Sequence, residues 1–159
     1  MAVKGYDTLI SQINSMIRTK NAGVVAVNGV LVSMKKRIFV DGKASDESKI
    51  GEYSTKPASI SRKNQARNTG KTYFKGGYRE YKSLIGKGGT VNLRNTDQLM
   101  MDLSTQVVAD NQFGVGFNND FNADKAGWNE EHFKKKIFDS TNKEDDLFVK
   151  VFEFQINKL

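Results

Sequence analysis

The chain contains no cysteine, which excludes disulfides, thiolate zinc sites and thiol nucleophiles together. Histidine is almost as scarce: His132 stands alone, inside Glu130-Glu131-His132. A single histidine without cysteine forms a dedicated zinc site only with several carboxylates, so His132 reads as an ordinary residue near a helix end, beside three lysines. Long apolar runs are missing as well. The start, MAVKGYDTLISQI, lacks the apolar core of a signal peptide, and no stretch is long enough to cross a bilayer. The 159 residues fit one domain with a buried core, and leave no room for a large catalytic barrel or a doubly wound fold.

Acidic residues are nearly absent from the middle of the chain. Between Tyr53 and Arg94 there are ten basic residues, Lys56, Arg62, Lys63, Arg67, Lys71, Lys75, Arg79, Lys82, Lys87 and Arg94, against Glu80 alone. That window is +9 while the whole chain is +7, so all the excess positive charge sits in it. Its first part, Ser54 to Thr72, also has almost no apolar side chain with which to fold. The reading is a long basic insertion, a flexible arm at about 54–72, that a partner holds. Positive charge in this density selects an acidic partner, either nucleic acid or the negative surface of another protein.

Periodicity outlines the rest. Tyr6, Leu9, Ile10, Ile13, Met16 and Ile17 predict an amphipathic helix over 7–19, broken by Lys20-Asn21-Ala22-Gly23. Val24, Val27, Leu31, Met34 and Ile38 predict a second helix as the core element, with Val25, Val30 and Val32 widening its apolar face. Lys35-Lys36-Arg37 suit its C-terminus and Asp41-Gly42 a turn. A short helix follows from Gly77 to a stop at Gly86, then a short helix or extended corner over 96–103. Thr105–Ala109 and Gln112–Phe117, joined at Asp110-Asn111, predict a β-hairpin, and a helix over 123–133 precedes an extended Lys136-Ile137-Phe138. Phe152 to Asn157 alternates as a strand would, yet Thr141 and Glu144 form a capping box ahead of Asp145-Asp146, which favours a final helix. The expected fold is a single α+β domain with helices packed on a small antiparallel sheet.

Sites of chemistry are harder to find. Asp97, Asp102, Asp110, Asp120 and Asp124 could collect magnesium for a nuclease, but no spacing makes them converge, and caps and turns account for most of them. Gly76-Gly77 and Gly88-Gly89 lack the Lys-Ser/Thr pair of a phosphate loop and read as turns around a short helix. Tyr73, Phe74, Tyr78 and Tyr81, interleaved with Lys71, Lys75, Arg79 and Lys82, fit either a stacking surface for single-stranded nucleic acid or aromatic anchors with a basic outer side. No catalytic residue, metal ligand or cofactor is expected. The residues expected to meet a partner are Lys56, Arg62, Lys63, Arg67, Lys71, Lys75, Arg79 and Lys82.

The order of the pieces carries a resemblance. A helix leads into Arg37-Ile38-Phe39-Val40-Asp41-Gly42, followed by Gly51-Glu52-Tyr53, Gly77-Tyr78 with Tyr81 and Gly86, and Val91-Asn92-Leu93-Arg94-Asn95-Thr96. Then come Gln112-Phe113-Gly114-Val115-Gly116-Phe117 and a helix before Lys136-Ile137-Phe138-Asp139. Over residues 22–145 this order resembles the tail-completion and head-tail-joining proteins of tailed phages. Thr96 is followed by Asp97 where that family usually has glycine. The resemblance implies a structural, non-enzymatic subunit of a ring at the phage neck, made in the host cytoplasm and carried in the virion. Its partners would be further copies of itself, other neck, connector or tail proteins, and phage DNA passing through the lumen, with no membrane. The alternative is a nucleic-acid-binding protein that uses the basic tract.

Overall fold

In the computed structural model, which describes residues 4–61, 70–88, 90–109 and 111–158, the chain starts with one 36-residue helix, α1 (Lys4–Phe39). The expected break at Lys20-Asn21-Ala22-Gly23 does not occur. One glycine inside a helix costs only about 1 kcal/mol relative to alanine, and here its small size has a use. A Cβ at Gly23 would overlap the ring of Phe113, so Ala22 and Gly23 mark the place where a strand crosses close to the helix. Val30 is buried with Val27, Met34 and Ile38, whereas Val25 and Val32 face solvent and do not widen the apolar face. Lys36 and Arg37 occupy the last turn, and Gly42 turns the chain at φ 64°.

Two separate antiparallel hairpins follow, with short helices between them. β1 (Ala58–Ser61) pairs with β2 (Lys71–Phe74), Ala58 opposite Phe74 and Ser61 opposite Lys71. The expected flexible arm over 54–72 thus includes strand at Ala58–Ser61 and at Lys71-Thr72, while Arg62, Lys63 and Arg67 lie outside the described residues. α2 (Gly77–Leu84) and α3 (Gln98–Asp102) lead into β3 (Leu103–Ala109) and β4 (Gln112–Phe117), the expected hairpin, which pairs from Leu103–Phe117 to Ala109–Gln112 and starts two residues before the β-branched run. α4 (Asp120–Phe133) starts three residues earlier than its apolar pattern does, because the Asn119 side chain caps it by accepting from the Phe121 N–H.

α5 (Asn142–Asn157) is a helix, as the capping box indicates. Thr141 Oγ1 accepts from the Glu144 N–H at 3.1 Å, and Glu144 Oε2 accepts from the Thr141 N–H at 2.9 Å. The alternating Phe152-Glu153-Phe154 pattern is overridden: Phe148 and Phe152 stack one turn apart, with ring centroids at 5.9 Å. α5 runs antiparallel to α1, since Glu144 at its start meets Ser33 and Arg37, while Ile156 near its end shares a cavity wall with Asn14 and Thr19. The core lies where α1, β3, β4 and the 137–139 segment meet, around Met34, Ile38, Phe39, Val91, Leu103 and Ile137. Burying each such side chain contributes about 1.5–3 kcal/mol. The fold is α+β, helices against small antiparallel sheets.

One polar cluster sits inside this core. Arg37 Nε donates to Glu144 Oε1 at 2.9 Å and Nη2 to Oε2 at 3.2 Å. Its remaining donors reach the carbonyls of Lys43 (3.2 Å), Ile137 (3.1 Å) and Asp139 (2.9 Å), so all five guanidinium N–H groups are used. Arg37→Met alone leaves the Glu144 charge buried without its partner and is expected to cost about 3–5 kcal/mol. Adding Glu144→Leu should restore part of that loss in urea unfolding, because two apolar groups replace an orphaned charge. A double variant less stable than Arg37→Met would contradict this.

Gly23 supplies a second test. At an exposed helix position Gly→Ala stabilises by up to about 1 kcal/mol. Here the overlap with Phe113 should reverse the sign, lowering stability by about 1–3 kcal/mol. Pairing Gly23→Ala with Phe113→Leu should relieve the clash, and a Gly23→Ala protein that melts higher than wild type would place Phe113 elsewhere.

Candidate partner-binding surface

The structure divides the expected basic surface into two populations. Lys56, Lys71, Lys75 and Arg79 are exposed, on or beside the β1–β2 hairpin and the first turn of α2. Lys82 is not part of that surface. It is 1% exposed, its Nζ donates to the carbonyl of Arg94, and it lies 5.3 Å from the centre of the Tyr53 ring. Lys82 lies one turn beyond Arg79 on α2, but its side chain folds inward toward Tyr53 and the Arg94 carbonyl while Arg79 stays in solvent. Burial, then the charge of Lys87, push the Lys82 ammonium down to about 8.

The aromatics of the tract work as anchors. Phe74 is buried and meets Tyr81 edge-on at 5.6 Å; Tyr81 meets Tyr78 at 5.6 Å, and Tyr78 meets Tyr53 at 5.4 Å. This ladder fastens the hairpin to α2 and α2 to the segment after residue 50. Tyr73, opposite in pleat to Phe74, is 61% exposed between Lys71 and Lys75. Burial raises the phenols of Tyr53 and Tyr78 above their ordinary value. Gly77, at φ 66°, lies so close to the carbonyls of Ser54 and Lys56 that a Cβ would overlap them, and the Arg79 N–H donates to Ser54 O at 3.1 Å. The Gly76-Gly77 pair is thus a backbone contact that sets the base of the hairpin.

Asp97, Asp102 and Asp120 have structural places. Asp97 Oδ1 accepts from Arg94 Nε at 2.9 Å and Oδ2 from Lys87 Nζ at 3.0 Å, and these two cations, Arg94 first, hold its carboxyl down to about 2. Asp97 has φ 62°, the left-handed conformation natural to glycine and tolerated by aspartate. Arg94 lies three residues before Asp97 in the chain, whereas Lys87 reaches it from ten residues away. Asp102 accepts from the Asn119 N–H at 3.1 Å, Asp120 sits in the first turn of α4, Asp124 is exposed on it, and Asp110 lies outside the described residues. Among the described residues no three His, Asp or Glu side chains gather as metal ligands. His132 is exposed, edge-on to Phe133, on the wall of a cavity of about 350 Å³ shared with Tyr53, Lys82 and Arg94.

Sequence reasoning missed a second surface feature, an open apolar cavity of about 440 Å³ between α1, β4 and α5. Its walls come from those three elements and from Phe138 and Ser140 in the loop before α5, so no local pattern announces it. Among the described residues no helix is long and apolar enough to cross a membrane. No protein-family model matches this chain, and no curated protein or solved structure is significantly similar to it.

The buried lysine makes stability depend on pH. The unfolded chain keeps the Lys82 proton to about 10.5, whereas the folded chain releases it near 8, so between these values the unfolded state binds more protons and stability rises with pH. Compared with Lys82→Met, wild type should gain stability from pH 8 toward 10, after which ionisation of the unfolded tyrosines favours unfolding. Parallel melting curves for the two proteins across that interval would show that Lys82 is not desolvated.

Proposed function

We propose that this chain is a structural subunit of a tailed-phage neck or tail-completion ring, joining the head connector to the tail, made in the host cytoplasm and carried in the virion. The observation that carries the reading is the exposed positive charge of Lys56, Lys71, Lys75 and Arg79, presented on a hairpin that an aromatic ladder fixes to the body. A cationic projection on a rigid base grips acidic neighbours, and repetition around a ring turns weak single contacts into strong attachment. Asp97 adds support, since the position where the resembling family has glycine is held in the left-handed conformation. DNA passing through the ring would meet the same charges.

The rival reading is a stand-alone nucleic-acid-binding protein, favoured by the exposed ring of Tyr73 between Lys71 and Lys75. Two charge-reversal variants separate the readings, one carrying Lys56→Glu, Lys71→Glu, Lys75→Glu and Arg79→Glu, the other Arg62→Glu, Lys63→Glu and Arg67→Glu. Exposed substitutions typically change stability by no more than about 0.5 kcal/mol each, so the first set should fold. In an extract supplying heads and tails, reversal is expected to leave heads and tails unjoined. Normal joining with loss of a steep, salt-dependent DNA affinity would transfer the function to nucleic-acid binding.

A further inference from the structure

We propose that the N-terminal half of α1 is a docking arm that fills the apolar groove between α1, β4 and α5 of a second copy of this chain. Leu9, Ile10, Ile13, Met16 and Ile17 are between 45% and 70% exposed, on one side of the helix. They belong to a seam of period 3.5 that runs the length of α1: Ile13, Val27 and Met34 fall on one line seven or fourteen apart, and Met16, Gly23 and Val30 on the next. From Ala22 to Ile38 that seam is covered by α5 and the β3–β4 hairpin. From Leu9 to Ile17 the same seam is exposed, with only Ile156 at the end of α5 near it, across an open cavity whose wall includes Ile10, so the occupant it fits is another surface of helix and strand.

The chain carries such a surface. The groove of about 440 Å³ is lined by Val27, Val30, Phe113, Val115, Phe148 and Val149, and Gly114 in its wall leaves open space where a Cβ would sit. The arm cannot reach this groove in its own molecule. It shares one unbroken helix with Val27 and Val30, and fourteen residues of helix hold Ile13 about 21 Å away from Val27 along the axis. Charge agrees with the pairing, because Arg18 and Lys20 at the base of the arm are exposed and Asp145 lies at the groove. One arm and one groove per subunit make a head-to-tail contact, which generates a ring when the rotation closes. The proposal deepens the ring-subunit reading and depends on it only for closure.

The full chain tests it by sedimentation velocity with light scattering. Wild type is expected to form oligomers larger than a dimer as concentration rises. The arm variant Ile13→Glu/Ile17→Glu and the groove variant Val149→Glu change exposed positions, so each should keep the helical circular dichroism and melting of wild type and sediment as a monomer. Mixed together they should give a one-to-one dimer that grows no further, since only one intact arm meets one intact groove. The cysteine-free background allows a second reading: under oxidation Ile17→Cys should link to Val149→Cys and not to itself. A wild-type chain that stays monomeric at all concentrations, a groove variant that still oligomerises, or self-linked Ile17→Cys would each overturn the proposal. If arm variants join heads to tails normally while the charge reversals do not, the neck-subunit reading survives and this contact does not.

Discussion

The ion pair of Arg37 with Glu144 holds the parts of this protein in register. Arg37 comes from the last turn of α1 and Glu144 from the first turn of α5, and the guanidinium also binds carbonyls of Lys43, Ile137 and Asp139. Glu144 at the same time closes the capping box of α5. The start of the last helix, the end of the first and both loops beside them are thereby tied to one planar group. A buried charge pair is costly to desolvate, and an apolar pair of the same volume can be as stable. What the pair adds is direction, since five donors in a fixed fork accept only one arrangement of partners. The walls of the groove between α1, β4 and α5 are consequences of that arrangement.

The basic tract shows why charge in a sequence does not map directly onto charge at a surface. Lys82 and Lys87 belong to the same run as Lys71, Lys75 and Arg79, yet their ammonium groups point inward or along the 94–97 turn and stabilise it. The exposed members share a hairpin whose base is set by Gly77 against the 54–56 backbone and whose inner side is held by Phe74. This division produces a surface that is cationic outside and aromatic beneath, a combination suited to gripping an acidic partner without a deep pocket.

Much of the secondary structure was legible because its signals are local. The Thr141–Glu144 box, the pairing of the Thr105–Ala109 and Gln112–Phe117 runs and the Gly77 and Gly86 boundaries each depend on residues close together in the chain, and each holds in the structure. The misreadings share a different origin. Ala22-Gly23 looks like a helix end to its neighbours in sequence and is a contact for Phe113 ninety residues away. Ala58 to Ser61 has little apolar character of its own and becomes a strand because Lys71 to Phe74 pairs with it and Phe74 is anchored on Tyr81.

By itself the sequence determined the α+β composition, the period of α1, the caps and turns, and the concentration of positive charge between residues 53 and 94, all properties set by the backbone and side chains of a few adjacent residues. Tertiary structure decided which lysines face solvent, that the first helix runs unbroken, and that half of its apolar seam is covered while half remains open. The reason is that burial is a property of pairs of surfaces. A helix face or a lysine has no inside until a distant segment lies against it, and for α1 that segment is α5, brought there by Arg37 and Glu144.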